Sequence, residues 1–585
     1  MAGTTRLIAG AAARWRAAVR AAIALVLAGM LAVPPAFADR LADTLAEPLA
    51  EPLADTPAAP LSAALRERVE ALRDGHPLRA AGGVIAARRP IPRFYEARGF
   101  RPAWDDPARR HALVALVADS PSHGLEPADY QLDALRALIA PADDDPTIAA
   151  ERDLLFTDAL IRLAYHLRFG KVNPRELYAD WSFSRSLGAL DPVTALEALV
   201  AAEPLRAAVE RYAPQLEAYA RLRAALAEHR TIAAAGGWPP LAAGSTLRAG
   251  DRDARVAALR TRLRASGDDA APMPSDPALF DDALASAVMA FQARHGLEPD
   301  GAVGRRTVAA LNVAVTGRID QIRVNLERLR WVAQDIAGDY LLVDIAGFDA
   351  RLYLGHRLAW QSRIVVGRPY RKTPTFRAKL RYLVLNPDWT VPPTILREDV
   401  VPKVIRDHGY LAAHDMRVIG DTGQVISPDA IDWPRYRAGG FPYRIVQAPG
   451  PDNPLGQVKF MLPNPYAVYL HDTPARALFE RAERAFSSGC IRLERPLELA
   501  VLLLDDPERD NLDTLREAIA SGETRVVPIR RQVPVLVLYH TAAVDDGGTV
   551  TFRPDLYQRD AAVLTALASP FRFSPVGRSR AVPPS

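Results

Sequence analysis

The spacing of apolar residues changes once along this chain, between Val332 and Tyr340, and the change divides it into a helical part and a β-rich part. Upstream, Phe156, Leu160, Leu163 and Leu167 recur at the interval that lines one face of a helix. Downstream, Tyr340 to Ile345, Arg351 to Leu354, Leu358 to Val366 and Arg381 to Leu385 are short β-rich runs parted by glycine or polar turns, which predicts a sheet. At 585 residues the chain exceeds what one hydrophobic core fills, so several domains are expected. The fold class read from this pattern is multidomain α+β: an all-helical N-terminal scaffold, a three-helix module, and a mainly β domain with a long insertion.

The boundaries follow from local breaks. Arg6, Arg14, Arg16 and Arg20 precede an uncharged run from Ala21 to Val33, and Ala36-Phe-Ala38 offers small residues at a cleavage point, so residues 1–38 read as a secretory signal. The run is short for a membrane span; an uncleaved anchor is the alternative, and either form exports the body of the protein. Residues 39–62, with the repeat Leu45-Ala-Glu-Pro-Leu-Ala-Glu-Pro-Leu, read as a flexible linker. Residues 63–235 form the helical scaffold, ended by the break Gly236-Gly-Trp-Pro-Pro240. A compact unit spans 246–313, with Val256, Leu259 and Leu263 on one helix and Val288, Phe291 and Gln292 on the next. The sheet domain spans 337–530. Within it, residues 386–466 are irregular and rich in Pro, Gly and aromatics, the mark of a lid-like insertion. Trp389, Trp433, Tyr436, Phe441 and Tyr443 would close over a ligand there or, more ordinarily, pack the insertion onto itself. Residues 531–565 read as a C-terminal hairpin, Val533 to Tyr539 with Val550 to Phe552 across Asp545-Asp-Gly-Gly548, and a helix; 566–585 read as a disordered tail.

A formal charge of +4, with basic and acidic residues interleaved, gives no nucleic-acid footprint. The membrane enters only through the signal segment, if that stays uncleaved. The single cysteine carries more information: an exported protein usually spends its cysteines in pairs, and this one forms no internal disulfide. Such a thiol is either an inert core residue or a reactive group. The histidines are scattered, without a His-Glu-x-x-His helix or a cysteine pair, so neither a metal nor another cofactor is expected.

The thiol, Cys490, closes the small-residue turn Ser487-Ser-Gly-Cys490, and His471 ends a strand nineteen residues earlier. Thr473 and Pro474 have the form of a helix start, and that helix is expected to run to about Arg484. One helix and one turn permit the two side chains to meet. An imidazole beside a thiol serves as base and keeps it ionised, making a nucleophile. Gly489 lets the backbone approach a ligand, so the amides of Ser488, Gly489 and Cys490 are candidates for an oxyanion hole. For an isolated Cys and His pair a buried thiol and a strand-end histidine would be the commoner meaning.

The longer string settles on a resemblance. His471, then Ser487-Ser-Gly-Cys490-Ile-Arg492, is similar to the signature of the L,D-transpeptidase (YkuD-type) catalytic family. Gln447-Ala-Pro-Gly-Pro-Asp-Asn-Pro-Leu-Gly456, Lys459-Phe460 and Val468-Tyr-Leu-His-Asp-Thr-Pro474 resemble its long periplasmic members, and Ser488 stands where many shorter members have histidine. Ala287-Val-Met-Ala-Phe-Gln-Ala-Arg-His-Gly-Leu-Glu-Pro-Asp-Gly301 resembles a three-helix peptidoglycan-binding module, departing from it at Arg252 and Asp253. The resemblance implies that Cys490 attacks the third residue of a tetrapeptide stem with His471 as base, expels D-Ala, and passes the thioester to a neighbouring stem amine as a 3,3 cross-link. It also implies that the Asp472 carbonyl orients the imidazole, with a side-chain helix cap as an equal alternative for Asp472. Arg492 would bind a substrate carboxylate or support the turn, Ser487 would support it, and Tyr469 would wall the pocket. The implied partners are peptidoglycan stem peptides and glycan, and the implied location is the periplasm, associated with the wall. Hydrolysis of the thioester would make the same site an L,D-carboxypeptidase. A non-catalytic wall scaffold, a zinc peptidase and a serine nucleophile at Ser487 or Ser488 are the rival classes.

Overall fold

The computed structural model describes residues 59–571, apart from 81, 140–144, 180, 184, 186–190 and 270. The expected signal segment, nearly all of the linker and residues 572–585 of the expected tail lie outside the described residues.

The scaffold begins at Pro60 and is built from α1 (Pro60–Arg73), α2 (Pro107–Ala118), α3 (Pro146–Phe169) and α4 (Glu217–Ala234), with shorter helices between them. Asp145 caps α3 by accepting from Thr147 N at 2.8 Å, and Pro146 occupies the first turn, where its missing N–H costs nothing. The stripe Phe156, Leu160, Leu163 and Leu167 is buried in the scaffold core. Each such side chain contributes about 1.5–3 kcal/mol relative to exposure. Helices α5 (Ala254–Ala265), α6 (Asp282–Arg294) and α7 (Arg305–Leu311) enclose a separate small core around Val256, Leu259, Val288 and Phe291.

Helix α8 (Val315–Val332) joins the helical part to the sheet. Its Glu327 accepts from Val172 N (2.7 Å) and Trp331 Nε1 (3.0 Å) and pairs with Arg330 at 2.6 Å, both partners without solvent exposure. The chain then lays down β1 (Tyr340–Asp344), β2 (Asp349–Leu354), β3 (Arg357–Gly367), β4 (Phe376–Lys379) and β5 (Tyr382–Leu385). An insertion follows with β6 (Trp389–Thr390), α9 (Val401–Arg406), β7 (Met416–Ile419), β8 (Val425–Ile426) and β9 (Arg444–Gln447). The main sheet resumes with β10 (Val458–Met461), β11 (Leu470–His471), β12 (Ala485–Ser487) and β13 (Ile491–Leu493), and after α10 (Pro496–Leu504) and α11 (Leu512–Ala520) gains β14 (Arg525–Pro528) and β15 (Pro534–Leu538). The order across this sheet is β14-β5-β10-β11-β13-β3-β2-β1-β15-β4, with β12 paired to the far end of β3. The last elements are β16 (Ala542–Val544), β17 (Val550–Phe552) and α12 (Asp560–Ala568).

Four expectations are corrected. The chain after Pro474 is not a helix to Arg484: one short 3-10 turn (Arg476–Glu480) gives way to β12, because residues 485–487 find a parallel partner in Val366 and Gly367. Val533 to Tyr539 does not pair with Val550 to Phe552; β15 lies between β1 and β4, so the sheet domain runs past residue 530, and the hairpin is β16 with β17. The inserted unit is shorter than 386–466, because β10 and its neighbours belong to the main sheet; the unit has its own four-stranded sheet, β8-β7-β9-β6, and its own core. Trp433 is buried in that core and stacks on Phe441 at 5.2 Å, with Tyr436 edge-on to the same ring, which is the ordinary of the two roles for these aromatics. Finally, α12 continues to Ala568, beyond the expected start of the tail. No helix among the described residues is long and apolar enough to cross a membrane.

Candidate active site

Three neighbouring strand segments place the candidate residues on one face of the sheet. Side chains alternate along a strand, so Val458, Phe460, Leu470, Ile491 and Leu493 enter the core while Lys459, Tyr469, His471, Cys490 and Arg492 share the opposite face. Lys459 stands opposite His471 across β10 and β11, and His471 opposite Arg492 across the parallel pair β11 and β13. The bond from Ile491 N to Tyr469 O (3.1 Å) sets that register.

His471 is buried, and its Nδ1 lies 2.5 Å from the backbone oxygen of Asp472. A carbonyl only accepts, so Nδ1 carries the proton and Nε2 keeps its lone pair. Burial, with help from the charges of Arg492 and Lys459, pushes the imidazole down to about 3 against the opposing backbone bonds to Asp472 and Leu455. The Asp472 carboxylate does not cap a helix: one oxygen accepts from Gln457 N at 2.8 Å and the other pairs with Arg476 at 2.5 Å. This close packing needs a glycine at 456, where φ is +60° and a Cβ would fall 2.4 Å from the Asp472 carboxylate.

Cys490 is half-buried, and its thiol points to Ala467 O at 3.8 Å. No hydrogen bond joins it to His471. The two residues are diagonal neighbours across the parallel pairing of β11 with the segment that leads into β13. Burial raises the thiol above its ordinary value, while Tyr469 and the charges of Lys459 and Arg492 pull it back. Burial disfavours both charged forms, the thiolate and the imidazolium.

The turn before the thiol is held from several sides. Ser487 Oγ donates to Cys490 O (2.6 Å) and accepts from Gly489 N (3.1 Å), while Thr373 Oγ1 donates to Gly489 O (2.8 Å). Gly489 has φ +119°, which a side chain rarely tolerates. Because its N–H is committed to Ser487, the amides left without a partner among the described residues are those of Ser488 and Cys490. Arg492 is half-buried, and its Nε has no hydrogen-bond partner.

The structure also brings in residues the sequence reading did not single out. Lys459 Nζ sits 4.1 Å over the Tyr469 ring, which is itself 5.6 Å from the imidazole. For Lys459 the sequence offered only its place in the run Lys459-Phe460, with no role attached to it. Thr373 and Arg371 come from segments more than a hundred residues upstream of Cys490, and nothing in their local sequence announces them, whereas Trp389, one of the aromatics noted in the insertion, comes against Tyr469. Among the described residues, no three His, Cys, Asp or Glu side chains converge as a metal-binding set.

Comparison with known proteins identifies families along the chain. Residues 338–527 match the L,D-transpeptidase catalytic domain family (YkuD), 252–311 a family described as "Putative peptidoglycan binding domain", and 89–226 a scaffold domain family. A Haemophilus influenzae protein named "Putative L,D-transpeptidase" is 37% identical over 244 residues, 42% of this chain and 48% of that protein, so the chain spans about half the length of this curated relative. Among solved structures, an L,D-transpeptidase from Mycobacterium smegmatis overlays 34% of this chain and 59% of its own at 12% identity and a TM-score of 0.17. One from Xylanimonas cellulosilytica overlays 51% of this chain and 100% of its own at 15% identity, also at 0.17. Overlays at such scores carry no structural argument.

Proposed function

We propose, for a chain that carries an L,D-transpeptidase catalytic domain and a peptidoglycan-binding domain, that Cys490 and His471 perform acyl transfer between peptidoglycan stem peptides outside the cytoplasmic membrane. The observation that carries the reading is the buried neutral imidazole, fixed through Nδ1 to the Asp472 carbonyl, one strand away from the chain's single thiol. A base whose lone pair is available at neutral pH takes a proton as the nucleophile attacks.

In the first step Cys490 Sγ attacks the carbonyl of the third, diamino acid residue of a tetrapeptide stem, and His471 Nε2 takes the thiol proton. The N–H groups of Ser488 and Cys490 hold the tetrahedral oxyanion. The C–N bond then breaks, His471 returns the proton to the departing amine, and D-Ala leaves. In the second step the side-chain amine of a neighbouring stem attacks the thioester, sulfur leaves and regains a proton through His471, and a 3,3 cross-link remains. Arg492, with its Nε unpaired beside Cys490, is suited to hold a carboxylate of the donor stem. Water in place of the acceptor amine would make the product a trimmed tripeptide.

The test is to incubate the full chain with tetrapeptide-bearing wall fragments and weigh the products. Cross-linked dimers that disappear with Cys490→Ala are expected; dimers that persist in that variant would remove Cys490 from the reaction. Tripeptide alone would assign hydrolysis to the site.

A further inference from the structure

Arg371 lies in the loop between β3 and β4, with its side chain only 9% exposed, and its guanidinium reaches two parts of the chain at once. One terminal nitrogen, Nη1, donates to Asp399 Oδ2 at 2.6 Å and to Ser488 Oγ at 2.8 Å; the other, Nη2, donates to Glu398 Oε2 at 2.7 Å. Glu398 and Asp399 sit on a π-helical turn, Leu396–Val400, in the insertion. Such turns are uncommon and recur at functional positions. Ser488 belongs to the turn that carries the unpartnered amides. One side chain therefore joins the insertion to the residue before Gly489 and Cys490.

The guanidinium is held firmly enough to transmit position. Arg371 N bonds to Arg368 O (2.9 Å), Arg368 N to Ser487 O (3.1 Å), and Gly367 N to Thr373 Oγ1 (2.9 Å), so the loop is sewn to the nucleophile turn through its backbone as well. A planar fork with both terminal nitrogens engaged fixes an angle that a lysine ammonium would not.

The geometry points to Arg371 as a positioning residue: seating of the insertion, through Glu398 and Asp399, fixes Ser488 and so aims its N–H at the developing oxyanion. The proposal rests on the acyl-transfer reading above. It assigns the insertion a part in catalysis through a hydrogen-bonded tie rather than through Trp433, Tyr436 and Phe441, which pack in its own core.

Two reactions of the same thiol separate this role from a merely structural one. Acylation by a tetrapeptide stem ending in a diamino acid and D-Ala passes through an oxyanion; alkylation by iodoacetamide displaces iodide at a saturated carbon and does not. In the full chain, Arg371→Ala and the double variant Glu398→Gln/Asp399→Asn are expected to slow acylation of Cys490 by roughly a hundredfold and leave its alkylation within about threefold. Arg371→Lys should recover only part of the loss. Unchanged acylation, or alkylation that falls in parallel, would overturn the proposal. If the unmodified chain is alkylated but never acylated, the acyl-transfer reading itself fails. Hydrogen exchange then decides the tie without a donor: the double variant should speed exchange in both 396–406 and 485–490, and faster exchange in the insertion alone would overturn it.

Discussion

Burial raises the Cys490 thiol and lowers the His471 imidazole, while Lys459 and Arg492 act on both: they favour the thiolate and disfavour the imidazolium. The same positive field thus disfavours the imidazolium and eases ionisation of the thiol. Its consequence is a pH profile. Alkylation of Cys490 should climb only as pH passes above the ordinary thiol value of about 8.5, with no acid-side shoulder, because burial disfavours a thiolate–imidazolium pair. Lys459→Met should move the rise to still higher pH, since the group that pulls the thiol down is gone. Rates of iodoacetamide modification between pH 5 and 10 measure both; a shoulder below about pH 6 would mean a resting thiolate–imidazolium pair. The two candidate residues of the proposed reaction were legible in the sequence because their string is local. Lys459, Thr373 and Arg371 were not, because pairing across strands and loops, rather than spacing along the chain, gives them their roles.

At the scale of elements, alternation and caps made the helices and the first strands of the sheet readable, and non-local pairing hid the rest. Residues 481–484, with three charges in four positions, look like a solvated helix face, yet the chain beyond them adds a parallel strand to β3. Val533 to Tyr539 is a good strand in any context, and only the tertiary fold assigns it to β1 and β4 rather than to the following hairpin. The insertion leaves and rejoins the sheet side by side: Leu385 pairs with Val458, and Asn386 N bonds to Gln457 O at 2.9 Å. Because it also has its own core, residues 388–454 should be replaceable by a short Asn-Gly turn without unfolding the sheet. Thermal unfolding of the shortened chain is expected to keep a cooperative transition for the sheet domain; its loss would show that the insertion is part of that domain's core.

Across the whole molecule, α8 ties the scaffold to the sheet through buried polar groups. Glu327 and Arg330 are both fully buried, and Arg330 also donates to His123 O at 2.8 Å and Tyr219 Oη at 2.9 Å. Arg330→Ala would leave the Glu327 carboxylate without its charge partner, which costs about 3–5 kcal/mol and should lower the denaturant midpoint accordingly; a shift worth less than about 1 kcal/mol would place the pair among near-neutral contacts. Arg328 with Asp560 (2.6 Å) and Lys171 with Leu567 O (2.6 Å) fasten the C-terminal helix to the same assembly, so the sheet that bears Cys490 is braced from α8, the scaffold and the hairpin. What that bracing presents is a thiol one strand from a neutral imidazole, and the most direct measurement is the intact mass of the full chain after mixing with a tetrapeptide stem. The account predicts a gain equal to the stem less D-Ala, located on Cys490, absent from Cys490→Ala and formed roughly a hundredfold or more slowly in His471→Ala. A chain whose thiol is open to alkylation yet never carries that acyl group would contradict it.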